Sequence, residues 1–480
     1  MITVAPTGTL ALSDLTGTIA LDLQHARPIP EDGTYFAPGM IVLIDGSYEE
    51  NYGDPTAGSS STLGGTGGIG GTIGGKFIGF SVGHPPCERR STTLGGTDDA
   101  EKGAGGPAFG WTDFLGVGSE RATGSRMNRI ASKLLLPDKA HNVVIASDLH
   151  LDAPSTLTAL RTLLRTYSPT PSEVQPVYPL AIILMGNFSS KASLAGVPGA
   201  GSIEYKEHFD ALASVLSEFP QLLAHTTLIF VPGDNDAWPS AFSAGAATPL
   251  PRKQIPDLFT NRIRRAVREA NTEVWGTGKK SGKEGEVIWT SNPSRLSWFG
   301  VKGEMAILRD DVMGRLHRTS IRFNKPEADE DGPADADVEM LEHQEAPLPM
   351  DIDPDTDAPP TQLTPTPTPK QQSQSQIDTD TLTARALTRT LLSQAHLSPF
   401  PLSVRPLHWD YAHALNLYPL PSSVVIADSE APAFVVKYCG CTVMNPGGID
   451  GSEGRRGREG RARWVEFDVR GNVGVLRVEE

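Results

Sequence analysis

From residue 141 onward, short apolar runs are each followed by polar residues. This pattern constrains the possible fold of the chain more than any other feature of the sequence. The runs cover residues 143–146, 181–185, 228–231 and 424–427. Short runs of this kind are typical of strands that helices cover on both faces of a sheet. Leu157, Leu160 and Leu163 follow the first run at helical spacing. The sequence therefore predicts an α/β domain over residues 140–480.

The first 125 residues follow a different pattern. Strands are predicted at 9–12, 18–23, 40–45 and 76–81, and residues 18–23 alternate in period two, as a half-buried strand does. A run rich in Gly, Ser and Thr at 57–75 interrupts them, and no Lys-Ser or Lys-Thr follows it as in a phosphate-binding loop. The pattern predicts an all-β barrel with a flexible insertion.

An acidic stretch at 326–380 dominates the charge of the chain. It contains 15 Asp and Glu residues and one basic residue, Lys370, whereas the whole chain has a formal net charge of -15. Low hydrophobicity and like charge predict that this stretch is a disordered insertion within the α/β domain. The remainder is nearly neutral, so the acidity of the chain does not exclude a local contact with nucleic acid.

The three cysteines, Cys87, Cys439 and Cys441, predict neither a disulfide framework nor a zinc site. A zinc site needs about four ligands at paired spacings, and Cys439 and Cys441 are too close in sequence for an unstrained bridge. The N-terminus lacks the pattern of a signal peptide, and no apolar run reaches the ~20 residues of a membrane span. We therefore expect a reducing compartment, cytosol or nucleus, and no membrane contact.

Five polar clusters predict the functional edge of the α/β domain. Four of them follow strand-like runs, and ligands of an open sheet bind beyond the ends of its strands, whereas the segment before the cluster at 394–396 reads more like a helix. The clusters lie at 147–150, 185–190, 232–236, 394–396 and 427–430. The series resembles the motifs of the calcineurin-like metallophosphoesterases. By that resemblance Asp148 and His150 match the first motif, and His396 matches an isolated histidine.

The remaining motif positions depart from that family, in which a carboxylate and a hydroxide bridge two dications. Asn187 stands where the family has its bridging Asp, and Asp234 and Asn235 stand where it has an Asn ligand and the catalytic His. Asp428 and Glu430 replace two metal-binding His. We predict no catalytic residue, no metal and no cofactor, and we interpret all eight positions as vestigial. One weak magnesium site stays an alternative, because carboxylates bind hard cations.

Four longer strings resemble the B subunits of replicative DNA polymerases, and among these the epsilon branch. The strings lie at 14–23, 231–236, 391–399 and 408–421. The resemblance covers nearly the whole chain apart from its low-complexity insertions. It implies an oligonucleotide-binding (OB) fold over residues 1–125, packed on an inactive calcineurin-like phosphoesterase domain with a β-sandwich core and flanking helices.

The resemblance also implies a function. A member would be a non-catalytic accessory subunit of DNA polymerase epsilon that scaffolds the catalytic subunit, through the C-terminal domain of that subunit, for chromosomal DNA replication in the nucleus. The other epsilon subunits would be further partners, and DNA would be contacted through the complex. Family members also carry a helical N-terminal domain that docks on the replicative helicase. Because Met1 lies only a few residues before the predicted strand at Leu10, we expect that domain and its helicase contact to be missing.

Two other functions stay open at this point. An active metal-dependent phosphoesterase or nuclease would use the same polar clusters, but it would need replacements for the bridging Asp and the catalytic His. A free-standing binder of single strands would stack bases on exposed barrel aromatics, for which Tyr35, Phe36 and Tyr48 are the candidates. Basic clusters at 262–268 and 455–463 are predicted to be solvated faces rather than DNA contacts.

Overall fold

A computed structural model describes thirteen segments of the chain. They are residues 1–4, 10–14, 17–30, 33–50, 72–93, 141–169, 176–193, 201–237, 248–276, 284–298, 303–323, 374–450 and 461–479. Most of the Gly-rich insertion at 57–75 and of the acidic stretch at 326–380 lies outside the described residues, as do residues 455–460 of the second basic cluster.

Six strands build the N-terminal barrel. They are β1 (Ile2–Val4), β2 (Leu10–Ser13), β3 (Thr18–Asp22), β4 (Arg27–Ile29), β5 (Leu43–Glu49) and β6 (Thr72–Gly83). Their order is β1-β2-β3-β6-β4, and β5 pairs with the long strand β6. Ile2, Leu21, Phe36 and Val82 are buried inside. The predicted strand at 40–45 begins later than expected, at Leu43, and a short helix, α1 (Arg90–Thr93), follows the barrel.

The first sheet of the α/β part contains three of the predicted apolar runs. Its strands are β7 (Asn142–Ala146), β8 (Ala181–Met185), β9 (Thr227–Val231), β10 (Val287–Trp289), β16 (Arg463–Asp468) and β17 (Val473–Val478). The order is β10-β9-β8-β7-β16-β17. The first four strands are parallel, and the C-terminal hairpin of β16 and β17 joins them antiparallel to β7.

A second sheet of five strands faces the first. Its strands are β11 (Ser294–Trp298), β12 (Gly303–Arg309), β13 (Ser423–Ala427), β14 (Phe434–Tyr438) and β15 (Cys441–Asn445), in the order β11-β12-β13-β15-β14. Ile145, Ile183 and Val231 of the first sheet belong to one buried cluster with Ile307 and Val425 of the second. Apolar residues from both sheets therefore fill a sandwich core.

Helices cover the outer faces of both sheets. Those on the first sheet are α2 (Pro154–Thr166), α3 (Ser202–Leu216), α4 (Pro220–His225) and α5 (Asp257–Trp275), and those on the second are α6 (Val312–Thr319) and α7 (Gln374–Gln394). A 3-10 helix spans Trp409–Leu415. The sheets and helices confirm the predicted α/β class. Among the described residues, none of the helices combines the length and the hydrophobicity that crossing a bilayer requires.

The prediction of disorder over 326–380 was wrong at its C-terminal end. Helix α7 begins at Gln374, so residues 374–380 are helical. The physical reason lies further along the helix, where Ala384, Leu387 and Leu391 are buried against the second sheet. Once those side chains pack, extending the helix toward its N-terminus adds one backbone hydrogen bond per residue and needs no new nucleus.

The barrel packs directly on α7. The side-chain amide of Gln394 donates to the carbonyl of Ile41 (2.7 Å) and accepts from its N–H (2.9 Å). The N–H of Tyr35 donates to Thr390 Oγ1 (2.9 Å). Phe36, which the sequence suggested as an exposed aromatic, is only 1% exposed and stacks on His84, so that interpretation was wrong.

Candidate functional site

The carboxyl ends of parallel strands bring most of the predicted site residues to one edge of the sandwich. Asp148 and Asn187 lie two residues beyond β7 and β8, and Asp234 lies three beyond β9. In the second sheet, Arg309 is the last residue of β12, and Asp428 directly follows the neighbouring parallel strand β13. Because parallel strands end at a common edge, residues far apart in sequence meet there.

Arg309 occupies the centre of this edge. Its Nε and Nη2 donate to Asp148 Oδ1 at 2.9 and 2.6 Å, and its Nη1 donates to Asp311 Oδ1 at 2.9 Å. Nε also donates to the carbonyl of Gly186 (3.1 Å). Both Arg309 and Asp148 are buried, and Asp148 has a φ of 51°, a left-handed conformation that Asp adopts more readily than most residues. The guanidinium therefore joins the two sheets through their loops.

A second ion-pair group surrounds Asp234. Arg405 Nη2 lies 2.8 Å from Asp234 Oδ1 and 3.4 Å from Asp310 Oδ1. Arg315 Nη2 lies 2.9 Å from Asp310 Oδ1 and 3.8 Å from Asp234 Oδ2. All four side chains are buried. Charges of opposite sign are therefore interleaved, as a water-poor interior requires.

Arg252 closes the group on the side of β9. It donates to the carbonyl of Gly233, and its Nη2 donates to the carbonyl of Asp236 (2.7 Å). The Asp236 carboxylate in turn accepts from the N–H of Gly233 (2.6 Å), the N–H of Phe188 (2.9 Å) and the hydroxyl of Tyr205 (3.0 Å). These contacts fix the loop that carries Asp234.

The pKa values follow from burial and charge. Burial alone lowers the pKa of Arg309, but the carboxylates of Asp148 and Asp311 raise it overall, so this guanidinium stays charged. Burial raises the pKa of Asp234, against the opposing effect of Arg405. Burial also raises the pKa of Asp428 to about 7. The cluster therefore depends on its arginines to keep buried carboxylates ionised.

Asn187 and Asn235 hold neighbouring loops together. The N–H of Asn235 donates to Asn187 Oδ1 (3.0 Å), and Asn235 Nδ2 donates to the carbonyls of Ser189 (3.2 Å) and Ser190 (3.1 Å). The side-chain amides of Asn187 and Asn235 therefore both take part in structural hydrogen bonds, the first as an acceptor and the second as a donor.

Asp428 caps a helix start and a turn. Its Oδ2 accepts from the N–H of Met313 in α6 (2.7 Å), and its Oδ1 accepts from the N–H groups of Glu430 (2.8 Å) and Ala431 (3.2 Å). Glu430 itself is exposed, with Oε1 at 3.7 Å from Arg318. Asp428 therefore holds the loop after β13 against α6.

The two histidines of the predicted site are placed differently from its aspartates. His396 Nδ1 accepts from the N–H of Ser398 (3.0 Å) within its own loop, and burial lowers the pKa of the ring. His150 is half-buried, and its backbone N–H donates to the carbonyl of Asp148 (2.9 Å). The structure thus joins Asp148 and Asp234 to the arginine cluster, whereas His396 bonds within its own loop and Glu430 approaches Arg318 of α6.

The residues at this edge do not fit a dinuclear metal centre. Such a centre needs carboxylate and imidazole ligands that are free to face the ions. Asp148 and Asp234 instead give an oxygen to Arg309 and Arg405, whose guanidinium groups supply the positive charge. Within the described ranges, no three His, Cys, Asp or Glu side chains are grouped as metal ligands. No metal-dependent step can therefore be assigned to these residues.

Four buried arginines of this edge were not predicted from the sequence: Arg252, Arg309, Arg315 and Arg405. One signal was present. Residues 305–308 form an apolar run that ends in Arg309, Asp310 and Asp311, the same pattern as in the polar clusters that were singled out. Arg405 lies in a loop after α7 and carries no such signal.

The basic cluster at 262–268 lies on α5, where carboxylates pair with three of its four arginines. The ion pairs are Arg262–Asp210 (3.9 Å), Arg264–Asp257 (2.8 Å) and Arg265–Glu269 (2.7 Å). This pairing favours the predicted solvated face over a phosphate contact, because paired guanidinium groups add little net positive charge.

Comparison with protein families identifies the family of the chain. A family model that describes the B subunit of DNA polymerases alpha and epsilon matches residues 143–436. The chain belongs to this family. A second model, described as "DNA polymerase epsilon subunit 2-like, OB-fold domain", matches residues 1–86, so the N-terminal barrel is an OB fold, as the resemblance implied.

Individual members of the family are similar along most of the chain. The chain is 31% identical to the B subunit of DNA polymerase epsilon from Schizosaccharomyces pombe and to that from Saccharomyces cerevisiae, over 94% and 96% of its own length. It is 25% identical to "DNA polymerase epsilon subunit 2" of Mus musculus over 93% of its length. It spans 57%, 55% and 60% of these three relatives, which is little more than half of their length.

Proposed function

We propose that this chain is a non-catalytic accessory subunit of DNA polymerase epsilon, which scaffolds the catalytic subunit in the replicative enzyme. The proposal rests on membership of the B-subunit family and on the names of its relatives. In this proposal the sandwich, residues 140–480, is a calcineurin-like phosphoesterase domain that has lost hydrolysis, and the OB-fold domain covers residues 1–125.

One observation supports loss of catalysis more than any other: the guanidinium of Arg309 binds Asp148 at 2.6 Å, where the related enzymes bind a metal ion. A guanidinium neutralises the carboxylate but cannot lower the pKa of a bound water or coordinate a phosphate oxygen as a dication does. The vestigial positions then serve structure, and a metal-dependent phosphoesterase is the weaker alternative.

The proposed partner is the C-terminal domain of the catalytic subunit, with the other epsilon subunits joining the complex, in the nucleus. DNA would be reached through the assembled enzyme. A helicase contact of the kind that the helical N-terminal domain makes in family members is not part of this proposal.

Co-purification tests the function directly. The full chain and the C-terminal domain of its epsilon catalytic subunit are expected to elute as a stable one-to-one complex in size-exclusion chromatography with light scattering. The C-terminal region of a delta catalytic subunit provides a matched control that should elute separately. Two folded proteins that elute apart in the epsilon experiment would refute the proposal and would make phosphoesterase assays with Mn²⁺ the next step.

A further inference from the structure

Two cysteine thiols meet where the end of the barrel contacts the sandwich. Cys87 lies between β6, the last strand of the barrel, and α1, whereas Cys439 lies in the turn between β14 and β15 of the second sheet. Cys439 Sγ donates a hydrogen bond to the carbonyl of Cys87 (3.9 Å), and the two thiol groups are hydrogen-bonded to each other. The residues are 352 positions apart in the chain, so only the tertiary structure brings them together.

The local backbone allows the two sulfurs to come closer. Cys439 and Gly440 form the two-residue turn of a hairpin in which Tyr438 pairs with Cys441, and both turn residues have a positive φ, 51° and 77°. Cys87 lies in a stretch, residues 84–89, that forms neither helix nor strand. A disulfide needs its sulfurs about 2.05 Å apart. Rotation of the two side chains and a small shift of residues 84–89 can close the remaining distance without breaking a strand pairing.

The three cysteines differ in access and in reactivity. Cys87 and Cys439 are half-buried, so part of each side chain is open to a small reagent, whereas Cys441 is fully buried. The hydrogen bond to Cys439 and burial raise the pKa of the Cys87 thiol, and burial raises the pKa of Cys441. Only a thiolate attacks a disulfide, so Cys87 and Cys441 are poor nucleophiles at neutral pH. Cys439 is therefore the thiol that reacts first, and Cys87 is the partner beside it.

We propose that Cys87 and Cys439 form a reversible disulfide that fastens the end of the barrel to the second sheet when glutathione disulfide oxidises them. The Cys439 thiolate attacks one sulfur of the reagent, and the first glutathione leaves as a thiolate. Cys87 then loses its proton and attacks the sulfur of Cys439 in the mixed disulfide, and the second glutathione leaves. Two protein thiols are thus oxidised to one disulfide, and the reagent is reduced to two thiols, which take up the two protons.

The disulfide would give the barrel a covalent attachment to the sandwich. In the reduced chain, hydrogen bonds such as those of Gln394 on α7 hold the two parts together. A bond between Cys87 and Cys439 adds an attachment at β14 and β15, and it also restricts the unfolded chain, because it closes a long loop. The inference concerns this chain alone and does not depend on the proposed function.

Peptide mapping of the full chain tests the bond. The chain is equilibrated in glutathione buffers from reducing to oxidising at mildly alkaline pH, quenched with acid, alkylated and digested with trypsin. Mass spectrometry should find the peptides 77–89 and 438–455 linked in the oxidising buffers and separate after dithiothreitol. The second peptide contains both Cys439 and Cys441, so variants assign the sulfur. Cys439→Ser should abolish the linked peptides, whereas Cys441→Ala, the matched control, should keep them.

Three results would overturn the inference: no linked peptides from the unchanged chain in the most oxidising buffer, linked peptides that persist in Cys439→Ser, or a disulfide-linked dimer on a non-reducing gel in place of a linked monomer. Hydrogen exchange measures the fastening itself. Exchange of residues 84–93 should slow on oxidation of the unchanged chain and of Cys441→Ala, and it should not change in Cys439→Ser. Equal exchange in the oxidised and reduced unchanged chain would show that the bond does not fasten the end of the barrel.

Discussion

The guanidinium of Arg309, at the end of β12, holds Asp148, beyond β7, through two hydrogen bonds of 2.6 and 2.9 Å to one carboxylate oxygen. Each residue belongs to a different sheet, and both are buried. A metal centre at this edge would leave Asp148 free to face an ion. Here the same carboxylate instead joins the two halves of the sandwich.

Breaking this pair should destabilise the chain strongly. Arg309→Met leaves Asp148 buried without its cation and also removes the partner of the half-buried Asp311. Removal of one partner of a buried ion pair costs about 3–5 kcal/mol. Urea unfolding followed by circular dichroism measures the loss. Arg265→Met is the control, since Arg265 and Glu269 form an exposed pair, and its effect on the free energy of unfolding should be much smaller.

The same pair should show coupling in a double-mutant cycle. Asp148→Asn keeps a residue that tolerates the left-handed backbone at this position, where φ is 51°. The double variant with Arg309→Met should lose less stability than the two single variants combined, by about 1–3 kcal/mol, because the residues share one interaction. Additive losses would show that the contact contributes no coupling energy.

Introducing phosphoesterase motif residues should not create hydrolysis. Asn187→Asp and Asn235→His together introduce two residues of the calcineurin-like motifs, yet Arg309 and Arg405 still bind Asp148 and Asp234. We expect no Mn²⁺-dependent cleavage of bis-p-nitrophenyl phosphate above background, with an active phosphoesterase of the related family as the positive control. Cleavage that requires Mn²⁺ and disappears with Asp148→Asn would contradict the interpretation of a vestigial site.

Asp428 should make stability depend on pH. Burial raises its pKa in the folded chain to about 7, whereas an unfolded Asp titrates near about 3.9. Between about pH 4 and about pH 7 the folded state therefore keeps a proton that the unfolded state has lost. The contribution of Asp428 to the free energy of unfolding is largest below about pH 4 and is lost as pH rises to about 7. The size of the effect is on the order of 4 kcal/mol at most.

Chemical denaturation between pH 5 and pH 8 measures this dependence. The difference in unfolding free energy between the unchanged chain and Asp428→Asn should shrink as pH rises toward 7 and then level off. Glu273→Gln, on the exposed face of α5, serves as the control and should leave the profile unchanged. A flat difference for Asp428→Asn would show that this carboxylate is ionised throughout the range.

Gln394 should couple the barrel to the sandwich. Gln394→Ala removes both hydrogen bonds to the backbone of Ile41 and the contact with His84, at a cost of about 1 kcal/mol per hydrogen bond. Hydrogen exchange of residues 36–44 should speed up, while exchange in β7 and β8 should not change. The control is Gln221→Ala, at an exposed position of α4. If residues 36–44 exchange at the same rate in both variants, contacts other than those of Gln394 attach the barrel to the sandwich.

The sequence by itself determined the strands and the loops that carry polar residues. The runs at 143–146, 181–185, 228–231 and 424–427 became β7, β8, β9 and β13 with boundaries shifted by at most one residue. Hydrophobic periodicity depends on neighbours along the chain, so it can be read locally. The family resemblance likewise rested on contiguous strings, and the family comparison confirmed it.

Tertiary structure alone decided what the polar residues do. Asp148 lies 161 positions from Arg309, and Asp234 lies 171 from Arg405, so nothing local links them. Whether a buried carboxylate faces a metal, a guanidinium or a backbone N–H depends on which charge reaches the same low-dielectric space after the two sheets pack. Phe36 gives the same lesson for the barrel, since its burial depends on His84 and Phe323 from other parts of the chain.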